Sequence, residues 1–419
     1  MRRLGYRSGI KGAGSLFPRD AVLNLPPCGY SWGLQQLAEM CCRSGAYEQA
    51  GEFVLAATGV RIGKRQLEQI TVRAAADAER FCQDRGAAAG AGQEGEGLLP
   101  LVISADGKGV AMRPEARRPE TARKAGKRPG QAFGKRLGTG QKSGCKRIAE
   151  TGVVFDVTGP EEPRTPEQIM GRAPGQGAPE GPRAVNRWYI ADITASCAGT
   201  IAALFDEAER RDPGHARTWI ALVDGNRHQI DVITAEAAAR DVEITILIDF
   251  IHVIEYLWKA ALAFTPPGDT RATEDQVTAW GLDILAGNSR GVIAGITAAA
   301  AADPPRPGGE HDKNIRKATH YLQAKEPFLG YPAALAEGWP IATGIIEGAC
   351  RHIIGDRLGI TGARWSLPGA QAMLWMRAIA ASSDLPAYWN WHITREHQRN
   401  HLSKLRNPPE PQHALELAA

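Results

Sequence analysis

An α/β fold is what the sequence predicts: a mixed sheet flanked by helices, with helical segments before and after it. Three observations carry this expectation. Five short apolar runs between residues 98 and 250 have the length and composition of strands. Helix-patterned segments separate the last three of them, giving a βββαβαβ order. The residues on both sides of this block read as helix.

Residues 1–30 show little pattern. "MRRLGYRSGIKGAGSLFPRD" starts basic but has no apolar core segment, so no secretory signal is read. Residues 31–82 read as three helices. "SWGLQQLAEMCCRSG" puts Leu34, Leu37, Met40 and Cys41 on one face, and "AYEQAGEFVLAATGV" runs to a break at Thr58-Gly59. "RIGKRQLEQITVRAAADAERF" then turns Ile62, Leu67, Ile70 and Ala74 inward. A short helix, a Gly-containing turn and a basic second helix outline a helix-turn-helix, with Arg61, Lys64 and Arg65 where such a helix meets DNA. The alternative is an ordinary three-helix bundle with a solvated basic turn. The Gly-rich stretch 83–97 reads as a linker.

The strand runs are "LLPLVISAD" (98–106), "GVVFDV" (152–157), "RWYIADI" (187–193), "TWIALVD" (218–224) and "VEITILIDF" (242–250). Helices at "ASCAGTIAALFDEAERR" and "TAEAAARDV" fit between the later ones. A Pro/Gly-rich connection covers 163–185. From 251 the chain reads as mostly helical, interrupted at "DPPRPGG" (303–309), and 381–419 closes it as a polar helix and a Pro-rich tail.

Composition narrows the function classes. Charged residues make up 23% and the net charge is +4, so the global balance says little about partners. No run of about 18 uncharged apolar residues occurs, which argues against a membrane span. The seven cysteines form no C-x-x-C pair, which points to a reducing compartment rather than a disulfide framework. An intracellular, soluble chain is the expectation. The charge is unevenly spread. Residues 113–147 hold twelve Lys and Arg against two Glu, a local charge of +10 with almost no apolar content. Such a segment cannot be core and suits phosphate contact, through Arg117, Arg118, Lys124, Lys127, Lys135 and Arg136. A solvated loop is the alternative.

Two apolar runs reach an Asp-Gly, at Asp106 and Asp224. An acid ending a buried strand leaves room for a metal-bound ligand, and oxygen donors suit Mg²⁺ or Mn²⁺. Two such ions can activate an attacking hydroxyl and stabilise the leaving oxygen of a phosphodiester. Taken singly, each Asp-Gly is also a common turn dipeptide. A third acid, Glu347, sits inside "ATGIIEGACRHIIGDR", which reads as a buried helix. A carboxylate there is costly unless something positive meets it, and the nearest basic residue in sequence is Arg351. Asp249 and His252 in "DFIH" open a helix after the fifth run; an N-cap with a first-turn His is the plain reading. His392, His397 and His401 have spacings a zinc site could use, but no cysteine or acid pattern supports one.

The combination resembles a known group. "ADGKGV", "LVDGNRHQI", "ILIDFIHVIEYLWKAA", "GIIEGACRHIIGDRLGITGARWSLPGAQAMLWMRA" and "YWNWHITREHQRNH" look like the Kra-type insertion-sequence transposases of bacteria, DDE enzymes related to the Mutator-like transposases. The resemblance runs from about residue 30 to residue 401. It implies an RNase H-like catalytic core over 98–250 and an all-helical insertion over 251–340. A C-terminal core helix would cover 341–380 and carry Glu347, and an N-terminal helical domain over 31–82 would bind DNA. It implies Asp106, Asp224 and Glu347 as the catalytic acids holding two Mg²⁺ or Mn²⁺ ions. Asp249 and His252 would order the site or a flanking base, and Arg351 would meet a phosphate or pair with Glu347. The implied partners are double-stranded DNA, as terminal inverted repeats and target, and further copies of the chain on paired ends in the bacterial cytoplasm. Two other readings stay open: a structure-specific nuclease on the same fold, and a non-catalytic DNA-binding relic.

Overall fold

A computed structural model describes residues 17–88, 98–126, 145–171 and 180–402. Of the expected DNA contacts, Lys127, Lys135, Arg136 and the Lys124 side chain lie outside the described residues, as do 89–97 of the linker and the tail beyond 402. The chain divides into two units: residues 1–84 with 366–419, and residues 85–365.

The first unit is helical: α1 (Pro18–Val22), α2 (Trp32–Ser44), α3 (Tyr47–Thr58), α4 (Lys64–Ala74) and α5 (Ala78–Ala88). The third expected helix is thus two. The break follows Ala74, whose carbonyl accepts from the Tyr388 hydroxyl, and Asp77 within it is bound by His392 and Arg399. Distant side chains fix that turn, so local propensity cannot show it. Leu67, Ile70 and Ala74 are buried as expected, but α2 buries Gln35, Ala38, Glu39 and Cys42 and leaves Met40 exposed. The apolar pattern misleads because Glu39 enters the core paired with Arg43 at 2.8 Å. Gly59 closes α3 with φ +72°, and Gly63 starts α4 with its N–H donating to Gln66.

The second unit holds the sheet: β1 (Leu101–Ala111), α6 (Pro119–Gly126), β2 (Lys146–Thr158), α7 (Pro166–Met170), β3 (Arg183–Asp192), α8 (Cys197–Arg211), β4 (Trp219–Val223), α9 (Arg227–Ala239) and β5 (Ile244–Ile248). Strand order is β3-β2-β1-β4-β5, with β2 antiparallel to both neighbours and β1, β4 and β5 parallel. The five expected strands are all present. β1 does not end at Asp106, however. It continues as a hairpin arm with β2 to the pair Ala111–Lys146, so Asp106-Gly107 lies inside a strand and is not a turn. Beneath the sheet, α8 buries Ile201, Leu204 and Phe205.

The expected all-helical stretch follows as α10 (Phe250–Ala261), α11 (Thr270–Leu285), α12 (Ser289–Ala302), α13 (Glu310–Lys325) and α14 (Tyr331–Ala336). The expected continuous helix over 341–380 is not seen. It is α15 (Gly344–Ala349), a π-helical turn over 350–355, α16 (Asp356–Leu358), a loop, and α17 (Leu367–Ala381), which falls in the first unit with α18 (Leu385–His397).

Candidate active site

Strand register lines up three aspartates. Ile103, Ala221 and Ile246 face one another across β1, β4 and β5, and Asp106, Asp224 and Asp249 each stand three residues further on. The carboxyl edge of parallel strands, where ligands of open α/β sheets bind, therefore carries an acid on each of three neighbours. Around them Gln229 donates to the Ala105 carbonyl at 2.7 Å and Ser104 to the Leu222 carbonyl at 2.6 Å, tying β1, β4 and α9 together.

The three acids differ in what they have free. Asp106 accepts from the Gly107 N–H at 2.6 Å, and Asp224 accepts from the Asn226 N–H at 2.8 Å in the turn that Gly225 makes with φ +92°. Asp249 is fully buried and saturated. Its Oδ1 accepts from the Ile251 and Thr343 N–H groups, and its Oδ2 from the Thr343 hydroxyl at 2.8 Å and His252 Nδ1 at 2.6 Å. Burial pushes this carboxyl up, but the hydrogen bonds outweigh it and hold it below the ordinary carboxylate range. The same bond to Asp249 raises His252, burial opposes it, and the charges of Asp249, Asp224 and Glu255 add to the rise. Asp249 is both the N-cap of α10 and a clamp on Thr343, the residue from which α15 departs.

Glu347 is exposed rather than buried, so no cation is needed to offset desolvation. Its carboxylate lies 3.4 Å from the Thr343 hydroxyl. Among the described residues, the His/Cys/Asp/Glu group whose ligating atoms all lie within 4.8 Å of one another is Asp249, His252 and Glu347. Asp106 and Asp224 stand outside that tight group, which joins the third expected acid to the expected accessory pair. Helix α15 nevertheless packs on β1 and β2, and Cys350, three residues after Glu347, lies close enough to Asp106 to feel its charge. Arg351 pairs with Asp356 at 3.9 Å and not with Glu347, since the π-helical turn that starts at Cys350 resets the spacing.

Sequence reasoning missed Glu150. It faces Gly107 across the β1–β2 ladder, and a Cβ on Gly107 would come within 2.9 Å of its carboxylate. Burial and then the Asp106 charge push Glu150 up, while Arg118 and His228 pull it down. Arg118, expected to meet phosphate, thus lies close to the acids; Arg117 is half-buried beside it, and Arg61, Lys64 and Arg65 are exposed around the start of α4. Only the hairpin extension of β1, invisible in the apolar pattern, reveals Glu150.

The donors suit a hard divalent cation: Asp106, Asp224, Glu347 and Glu150 offer carboxylate oxygens, while burial and then Asp106 push the neighbouring Cys350 thiol up. His252 has Nδ1 on Asp249, leaving Nε2 as the nitrogen able to meet a ligand, the arrangement in which a carboxylate orients a ligating imidazole. The histidines at 392, 397 and 401 do not converge: their nitrogens meet Asp77, the Ala21 carbonyl and the Leu25 carbonyl. No helix among the described residues is long and apolar enough to cross a membrane. Neither the protein-family models nor the curated proteins give a match to this chain.

Proposed function

We propose that the chain is a DNA transposase of the DDE type, built on an RNase H-like core. The observation that carries this reading is the alignment of Asp106 and Asp224 at one level of two adjacent parallel strands, with the helix of Glu347 packed on β1. Asp106 and Asp224, more than a hundred residues apart in sequence, thus stand at one sheet edge. The strand order 3-2-1-4-5 with an antiparallel β2 supports the RNase H-like assignment, as does the helical stretch between β5 and Glu347.

Asp106, Asp224 and Glu347 would hold Mg²⁺ or Mn²⁺, which supplies the charge that activates an attacking hydroxyl and stabilises a leaving oxygen. The chain's own part is positioning. The Asp249–Thr343 clamp fixes where α15 begins and so where Glu347 stands. Glu150 adds negative charge beside Asp106, and Arg118 meets a phosphate that would otherwise be repelled. Water would cut a strand at the element's end, and the freed 3′-hydroxyl would attack target DNA at the same site. Arg61, Lys64 and Arg65 on α4, with the basic segment 113–147, would bind the duplex through its phosphates. Paired ends call for more than one copy of the chain.

The test is incubation of purified protein with Mg²⁺ or Mn²⁺ and labelled DNA spanning the gene's flanking repeats, beside D224A. Cleavage plus joining to a second DNA, both lost in D224A, is the expected result. Cleavage without joining would instead indicate a nuclease. Equal cleavage by wild type and D224A would overturn the assignment of the site.

A further inference from the structure

Side chains along β1 alternate between two faces of the sheet, so Asp106 shares its face with Lys108 while Gly107 belongs to the other. The two faces have different covers. Gly152 pairs with Ala105, and a Cβ there would lie 2.8 Å from Leu204 of α8; Glu150 pairs with Gly107 on that same side. Arg118 lies close to Glu150 there. The Asp106 face is covered instead by the segment that carries Glu347. Helix α15 packs on β1 and β2, and His352 in the π-helical turn meets Tyr189 edge-on at 5.9 Å. Tyr189 pairs with Val153, and Val153 with Ser104, which places it on the Asp106 side.

Lys108 brings a cation to this face. The residue is exposed, and the end of its side chain rests on the π-helical turn. A Cβ on Gly355, the last residue of that turn, would stand 3.0 Å from Lys108 Nζ and 3.4 Å from Cε. Gly355 has φ −60° and ψ −54°, helical values at which alanine is the better residue. The backbone therefore has no need of glycine here; the room it leaves is taken by the lysine. Cys350, pushed up by burial and then by Asp106, is pulled down by Lys108, so the ammonium and the Asp106 carboxylate both lie within range of one sulfur. Arg351, expected to meet a phosphate on this segment, is turned to Asp356.

A lysine that only solvated the hairpin arm would not need a glycine beneath it. We infer that Lys108 is a catalytic residue, its ammonium meeting a non-bridging oxygen of the phosphate that is cut. The inference rests on the reading of the chain as a metal-dependent DNA-cleaving enzyme and adds one cation to that reading's three acids. The attacking water bonds phosphorus, the bond to the 3′-oxygen breaks, and the proton the water releases ends on that oxygen. Lys108 acts by charge alone. It is held where negative charge grows on the phosphate, and charge fixed in advance at that place lowers the barrier. An ammonium is a compact point charge, which suits one oxygen better than a planar fork does.

The experiment measures single-turnover cleavage of the labelled repeat DNA by full-length wild type, D224A, K108A, K108R, G355A and K108A/G355A. DNA affinity is read in parallel by anisotropy without divalent metal. K108A should cleave about 10²- to 10³-fold more slowly, the cost of losing one donor to a developing charge, with affinity and melting temperature little changed. K108R should recover part of the rate. G355A should keep its melting temperature and slow cleavage severalfold by crowding the ammonium, yet add nothing in the K108A background. Cleavage by K108A at the wild-type rate would overturn the proposal. So would a K108A loss confined to affinity, with the salt slope lowered by about one, since Lys108 would then be one backbone contact among several. In both cases cleavage lost in D224A leaves the transposase reading standing. A wild type that binds the DNA but cuts it in neither Mg²⁺ nor Mn²⁺ would sink that reading and this inference together.

Discussion

Each of the two units holds an aspartate against a histidine ring, and the pairs differ in what surrounds them. In the helical unit, His392 Nδ1 lies 2.8 Å from Asp77, and the pair is closed on every side. His392 stacks on Tyr388 at 17° and meets Trp32 and Trp389 edge-on, while Arg399 and Arg395 reach the same carboxylate. In the sheet unit, His252 Nδ1 lies 2.6 Å from Asp249, but the ring is 32% exposed and the charges around it are acids. One histidine has cations and aromatic faces for neighbours; the other has Asp224, Glu255 and Glu347. The same pair of side chains is a rivet in the first place and a presented ring nitrogen in the second.

The largest effects should come from the two buried aspartates. D77A strands His392 and two arginines; D249A strands the Thr343 hydroxyl and two backbone N–H groups and frees the start of α15. Each is expected to cost about 3–5 kcal/mol of stability, the usual result of removing one side of a buried charged pair. Urea unfolding of the full chain measures it. A D249A protein as stable as wild type would mean that Asp249 does not clamp α15, and the contrast between the pairs would lose its second member.

A smaller effect sharpens the contrast within the helical unit. Burial and then attraction act on both Asp77 and Glu39, with opposite winners. Hydrogen bonds from His392 and Arg399 overcome the burial of Asp77 and depress it, so its contribution is present above its ordinary value and lost as pH falls through the depressed one. Around Glu39 burial prevails over Arg43 and Arg377, and the carboxyl is raised from 4.5 to about 7. A raised acid stabilises the fold below its unfolded value, and that contribution is lost as pH rises through about 7. Hydrogen exchange in α2 should therefore show local stability falling by on the order of 1–3 kcal/mol across this window in wild type and staying flat in E39Q. A wild-type curve as flat as the variant's would show that Arg43 keeps Glu39 ionised.

Much of this was legible in the sequence. The five strands, their order and the helical stretch after them follow from apolar runs and their lengths, because strands buried on both faces carry continuous hydrophobic signals. Asp106, Asp224 and Glu347 were legible as chemistry-bearing positions. What stayed hidden depends on register and on partners far along the chain. β1 passes through Asp106 because β2 pairs with it as far as Lys146, and neither polar arm looks like a strand. Glu150 is hidden for the same reason. The burial of Glu39 is invisible because a periodic pattern ranks it as surface, and the break after Ala74 is set by a tyrosine more than three hundred residues away. Spacing alone flagged His252 and His392 alike; only their neighbours separate them.

The smallest change in stability tests that separation most directly. H252A removes a half-exposed ring and one of four hydrogen bonds to Asp249, whose bonds to Thr343 and Ile251 remain. The fold should lose no more than about 1 kcal/mol, the net worth of one hydrogen bond. Metal-dependent cleavage should nevertheless fall by about 10- to 100-fold, the range seen when a carboxylate-oriented ligand set is disturbed. H252N is the control, since an amide can keep a bond to Asp249 without presenting an imidazole Nε2. If H252N restores cleavage, His252 acts only through Asp249 and the sheet-unit pair is a rivet like its counterpart. If it restores stability but not cleavage, the ring nitrogen itself is used, and the two pairs differ in function as their surroundings imply.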